Sequence, residues 1–67
     1  MVMQPHQLRV VEEHKELQNK FGDLVTFIET SPIYKNLDVE EKRLLLEQCR
    51  YMSGYAWILE QRIKNFK

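Results

Sequence analysis

The chain has 67 residues, ten Lys+Arg against ten Asp+Glu, and one cysteine. That length allows a single small domain over residues 1–67, able to bury only about 60% of its unfolded surface. One thiol excludes an intrachain disulfide, and balanced charge argues against long DNA or RNA as a partner, since such binders carry a basic excess.

The opening "MVMQPHQLRVVEEH" lacks an apolar signal core, and no later segment is long enough to span a membrane. A lone thiol suits a reducing compartment, so a cytoplasmic protein with no membrane partner is expected. His6, His14 and Cys49 match no zinc-ligand spacing, and no metal or cofactor is expected. Self-association is the staple that remains for so short a chain.

From His6 to Glu29 the only helix breaker is Gly22. Val10, His14, Leu17, Phe21, Leu24 and Ile28 recur in alternating steps of four and three, a heptad seam. The pattern predicts a helix over about residues 7–30. Ser31 and Pro32 end it, because the residue before a proline avoids helical dihedrals, and "SPIYKNL" reads as a short connector. Asp38 with Glu41 three positions on forms a capping-box signature. A second helix is predicted over about residues 39–65, with a seam of Leu45, Cys49, Met52, Ala56, Leu59, Ile63 and Phe66. Strand signals, internal repeats and low-complexity runs are absent.

Two long helices and a short connector predict an all-α fold, an antiparallel hairpin. In register, Val10 faces Ile63, His14 faces Leu59, Leu17 faces Ala56, Phe21 faces Met52, Leu24 faces Cys49, and Ile28 faces Leu45. Along one flank, Glu13 meets Arg62, Lys20 meets Tyr55, and Phe27 meets Gln48. Beside this flank runs a further row of Leu44, Tyr51, Ile58 and Arg62, while Trp57 occupies another face. The second helix is therefore apolar or aromatic over more surface than one hairpin seam covers, which predicts contacts with further copies or with a ligand. Gly54 stands among these rings at a helix-interior cost of about 1 kcal/mol relative to alanine. Its place outside the seam predicts a close approach of another backbone.

Chemistry is sparse. There is no glycine-rich phosphate loop, no histidine–carboxylate metal cluster and no nucleophile motif, so a non-enzymatic protein is expected. His14 and Cys49 lie on the seam and read as a hydrogen-bonded core histidine and a small core hydrophobe. Arg9, Lys20 and Arg62 lie on or near the flank that carries Tyr51 and Tyr55. Guanidinium groups grip phosphate through paired hydrogen bonds, and aromatic rings stack on nucleobases. The same residues also read as a surface ion pair, Glu13–Arg62, with tyrosines filling an interface.

The stretches "RVVEEHKELQNKFGDLVTFI" and "LLLEQCRYMSGYAWILEQRI" carry a spaced signature. Its first half is Arg9, Val10, Glu13, Leu17, Lys20, Leu24, Phe27 and Ile28. Its second half is Leu44, Leu45, Gln48, Met52, Tyr55, Leu59, Arg62 and Ile63. From Arg9 to Ile63 the chain resembles the small helical-hairpin proteins of bacteriophages that include the anti-CBASS cyclic-oligonucleotide sponges and the hairpin part of the anti-Thoeris sponges. The resemblance implies a protein in the cytoplasm of an infected bacterium. It would hold a cyclic oligonucleotide messenger, a cyclic dinucleotide such as 3′,3′-cGAMP or a cyclic trinucleotide, without cutting it, so that the CBASS effector is not activated. It also implies a homo-oligomer, a hexamer in the best-known cases, with the ligand between protomers. Carried onto this chain, the ligand-binding residues are Arg9, Lys20, Tyr55 and Arg62, with Tyr51 as a neighbour of the right type. The competing expectation is a helical hairpin that only oligomerises or docks on a host protein through its aromatic face.

Overall fold

The structure, a computed structural model, describes residues 2–66. Three helices follow one another: α1 Pro5–Thr30, α2 Pro32–Lys35 and α3 Val39–Lys64. The long helices α1 and α3 pack against each other as an antiparallel hairpin, and the described residues contain no strand.

Helix α1 begins two residues before the expected start. Pro5 takes the first helical position, where its fixed φ is favourable and no N–H is needed. Gln4 caps it, donating its backbone N–H to Gln7 Oε1 at 2.8 Å. At the other end the Ser31 N–H reaches Phe27 O at 3.0 Å, and the chain then turns extended ahead of Pro32.

The expected short connector contains a single helical turn, α2. Ser31 closes α1 and opens α2, its Oγ accepting from the Ile33 N–H at 3.1 Å. Asn36 Nδ2 donates to Pro32 O at 3.2 Å and fastens the far end. The Tyr34 ring meets Phe27 edge-on, with centroids 6.2 Å apart and planes at 79°. Lys42 Nζ lies 5.5 Å from the centroid of the same ring. One tyrosine thus ties the corner to both long helices. Asp38 caps α3 through Oδ1, which accepts from the Glu41 N–H at 2.7 Å, and Asn65 closes the helix.

The seam follows the heptad pattern. Val10 and Leu17 of α1 and Leu59 of α3 are buried, with Met52, Ala56, Ile63 and Phe66 packed against them. Leu59, at 0% exposure, is the fully buried side chain at its centre. His14 departs from expectation. Its Nε2 is shut away from water yet has no hydrogen-bond partner among the described residues.

Three buried side chains are few for a stable fold. The hairpin measures 50 × 16 × 14 Å with a radius of gyration of 15.3 Å, against about 11 Å for a compact chain of this length. It exposes 5449 Å², whereas a folded monomer of its mass exposes about 4,500 Å². Leu44, Leu46, Tyr51, Tyr55, Trp57 and Ile58 of α3 all stand exposed. A Cβ built on Gly54 would meet nothing within 4 Å, so nothing within one chain requires a glycine there.

A candidate ligand-binding edge

At 3.6 residues per turn, Tyr51, Tyr55, Ile58 and Arg62 form one stripe along α3. Arg9, Glu13 and Lys20 form a matching stripe on α1. Both stripes border the seam on the same side, and together they make one long edge of the hairpin. Because α1 and α3 run antiparallel, Arg9 and Arg62 lie toward the end that carries the termini. Lys20 lies nearer the middle, level with the tyrosines. The span from Arg9 to Lys20 is about 16 Å along the axis, and that from Tyr55 to Arg62 about 10 Å.

The rings on this edge are presented outward: Tyr51 is 65% exposed and Tyr55 45%. Tyr51 is held in place. Arg50 Nη2 donates to its hydroxyl at 3.1 Å, and the guanidinium carbon sits 4.7 Å from the ring centroid. Arg50 in turn donates to Glu47 Oε2 at 3.0 Å, and that carboxylate raises the arginine's affinity for its proton further. Tyr55 has no hydrogen-bond partner among the described residues, and its ring is 45% exposed.

The cations behave differently from the paired expectation. The ion pairs among the described residues are Arg43–Glu40, Arg50–Glu47 and Lys64–Glu60. The Glu13–Arg62 pair does not form, and Lys20 does not stack on Tyr55; the ring–cation contacts are Lys42–Tyr34 and Arg50–Tyr51. Phe27 turns to Tyr34, while Gln48 makes a long contact of 3.9 Å to Met52 Sδ. Arg9, Lys20 and Arg62 are therefore exposed cations that no carboxylate among the described residues engages, beside two accessible phenol rings. Such a set can offer charge-assisted hydrogen bonds to phosphate and faces for a base.

Arg50 belongs with these residues and was not foreseen. Adjacent residues on a helix diverge, and only the length of the arginine side chain lets it fold back over Tyr51. Among the described residues no three of His, Cys, Asp and Glu stand together as a metal ion would require.

The hairpin's other edge has a different character. There His14, Gln18 and Phe21 of α1 face Ser53, Trp57 and Glu60 of α3 across a shallow groove of about 280 Å³. Lys64 Nζ lies 3.3 Å from Glu60 Oε1, so the groove's one carboxylate is already paired. A further shallow groove, lined by Glu12, Lys15, Glu16 and Asn19, lies on the outer face of α1.

Comparison with known proteins adds two observations. The Sequestin family model matches residues 4–65. The chain is also 38% identical over 65 residues to the "Uncharacterized 7.5 kDa protein in denB-rIIB intergenic region" of Enterobacteria phage T4, an alignment covering 97% of this chain and 100% of the phage protein. No solved structure matches the chain.

Proposed function

The chain belongs to the Sequestin family, and from that premise we propose that it is a phage sponge: it binds a cyclic oligonucleotide messenger and withholds it from a CBASS effector without cleaving it. The family name speaks of sequestration, and the similarity to a phage T4 protein supports a phage setting. No helix among the described residues is long and apolar enough to cross a membrane, which is compatible with action in the cytoplasm of the infected host.

The observation that carries the ligand class is the tyrosine–cation edge. Tyr55 and the Arg50-held Tyr51 would take bases against their faces. Arg9, Lys20 and Arg62, which no carboxylate among the described residues occupies, would meet the phosphates. One hairpin offers this as an open strip about 16 Å long. A pocket that surrounds a cyclic ligand would need the edge of a second protomer, in an assembly that would reach a hexamer. The mechanism is mass action: messenger held in the pocket is absent from the free pool that the effector reads.

A thermal-shift panel tests the reading, using cyclic di- and trinucleotides, linear dinucleotides and ATP. A cognate ligand at a hundredfold excess over its Kd adds about 2.7 kcal/mol of stability, a rise in Tm of roughly 10–20 °C for so small a domain. A flat panel would favour instead a hairpin that docks on a host protein through its exposed rings.

A further inference from the structure

Two arginines of α3 each pair with the glutamate three residues before them, and they spend their hydrogens differently. Arg43 closes its fork on one carboxylate: Nε donates to Glu40 Oε2 at 3.1 Å and Nη2 to Glu40 Oε1 at 2.6 Å. Arg50 donates through Nη2 alone, to Glu47 Oε2 at 3.0 Å and to the Tyr51 hydroxyl at 3.1 Å. Its Nε and Nη1 hydrogens have no partner among the described residues, and its side chain is 66% exposed. The guanidinium carbon stands 4.7 Å from the Tyr51 ring centroid, which covers one face of the ring and leaves the other for a base.

We propose that Arg50 is the pre-organised phosphate ligand of the tyrosine–cation edge: anchored through Nη2, it keeps its Nε and Nη1 hydrogens for phosphate oxygens of a nucleotide whose base lies on the open face of Tyr51. The inference rests on the proposed function for the ligand class and adds a residue to its site. A planar guanidinium can lie over a ring, donate from one part of its fork and keep the rest for an anion, whereas a lysine ammonium is a point charge without a plane. Binding ordinarily costs the entropy of fixing a long side chain. Glu47, the Tyr51 hydroxyl and the Tyr51 ring have already fixed this one. Each hold is weak alone at an exposed site, but all three act on the same guanidinium. Arg9, Lys20 and Arg62 make no ion pair among the described residues, so they supply uncancelled charge. Glu47 offsets the charge of Arg50, which therefore contributes direction more than long-range attraction. Arg43, with its fork closed on Glu40, is the internal comparison on the same helix.

The experiment is calorimetric titration of the wild type, Arg50→Lys and Arg43→Lys with two probes, 3′,3′-cGAMP and inorganic pyrophosphate, at several salt concentrations. Both variants keep their charge at exposed positions, so helix content by circular dichroism should be unchanged. Arg50→Lys is expected to weaken both probes about tenfold or more, the scale of a lost hydrogen bond between charged groups, with the salt dependence kept. Arg43→Lys should stay within about twofold of wild type. Wild-type affinity in Arg50→Lys overturns the assignment and leaves the ligand reading standing. Equal losses in the two variants overturn it as well, since the effect would then not belong to the Tyr51 anchor. A loss confined to 3′,3′-cGAMP overturns the phosphate contact and sets Arg50 against the base. Pyrophosphate held through Arg50 without uptake of 3′,3′-cGAMP upholds the phosphate contact and counts against that messenger. Binding of neither probe overturns the assignment outright.

Discussion

Tyr55→Ala is the substitution that isolates base stacking from folding. Tyr55 is 45% exposed and outside the cluster of Val10, Leu17 and Leu59 that holds the hairpin. Losing its ring removes only partly buried area, which costs the fold about 1 kcal/mol. A stacking partner for a base is worth about 1–3 kcal/mol, so the expected loss of affinity is about 5- to 150-fold. Tyr55→Phe supplies the control. The hydroxyl has no partner among the described residues, so removing it should leave both Tm and stacking intact. Calorimetric titration of the cognate ligand into the wild type and both variants reads the effect, with circular dichroism confirming the helix content. If Tyr55→Ala binds as tightly as wild type while Tm falls, Tyr55 serves packing alone and the base must lie elsewhere.

Further expectations follow from the same geometry. Lys20→Ala and Arg62→Ala should each weaken binding and flatten its dependence on salt. Glu13→Gln should leave stability within about 0.5 kcal/mol, because Arg62 makes no ion pair with Glu13; a larger loss on thermal melting would return Arg62 to a structural role. His14→Leu should stabilise the hairpin by about 1 kcal/mol, since it removes a buried nitrogen without a partner. That is a rise of about 4–8 °C in Tm at matched protein concentration, and a lower Tm would mean that His14 makes a bond the single chain does not contain. Gly54→Leu has open space around it in one chain, so it should preserve helix content yet disturb the assembly, as seen by light scattering; an unchanged particle would make the glycine incidental.

The hairpin was legible because its two seams are long and regular. Steps of four and three run over Val10 to Ile28 and over Leu45 to Phe66, and the connector between them is too short for any but an antiparallel pairing; Ala56 packs against the cluster of Val10, Leu17 and Leu59. The ends were less legible. Nothing in "MQPHQ" announces that Gln7 will reach back to Gln4, or that Ser31 will serve two helices at once, because these bonds depend on side-chain reach and not on periodicity. The same limit applies to the edge. Residue spacing placed Arg9, Lys20, Tyr51, Tyr55 and Arg62 along it, but exposed side chains choose their partners by local reach. Spacing therefore predicted a Glu13–Arg62 pair that is not made and passed over the Arg50 stack on Tyr51. The resemblance named the ligand class, and the tyrosine–cation edge supports it. Composition supplied only cations and rings, and the rest of any pocket would belong to another copy.

The central claim is sequestration of an intact cyclic oligonucleotide, and one measurement addresses it directly. The wild-type protein is titrated calorimetrically with cyclic di- and trinucleotides, the complex is separated from free ligand and heated, and the released nucleotide is analysed by chromatography and mass. The account predicts tight, saturable binding of at least one cyclic member and its recovery with the ring unbroken. Recovery of a linear or cleaved product, or no binding by any cyclic nucleotide at protein concentrations where the assembly is intact, would contradict it.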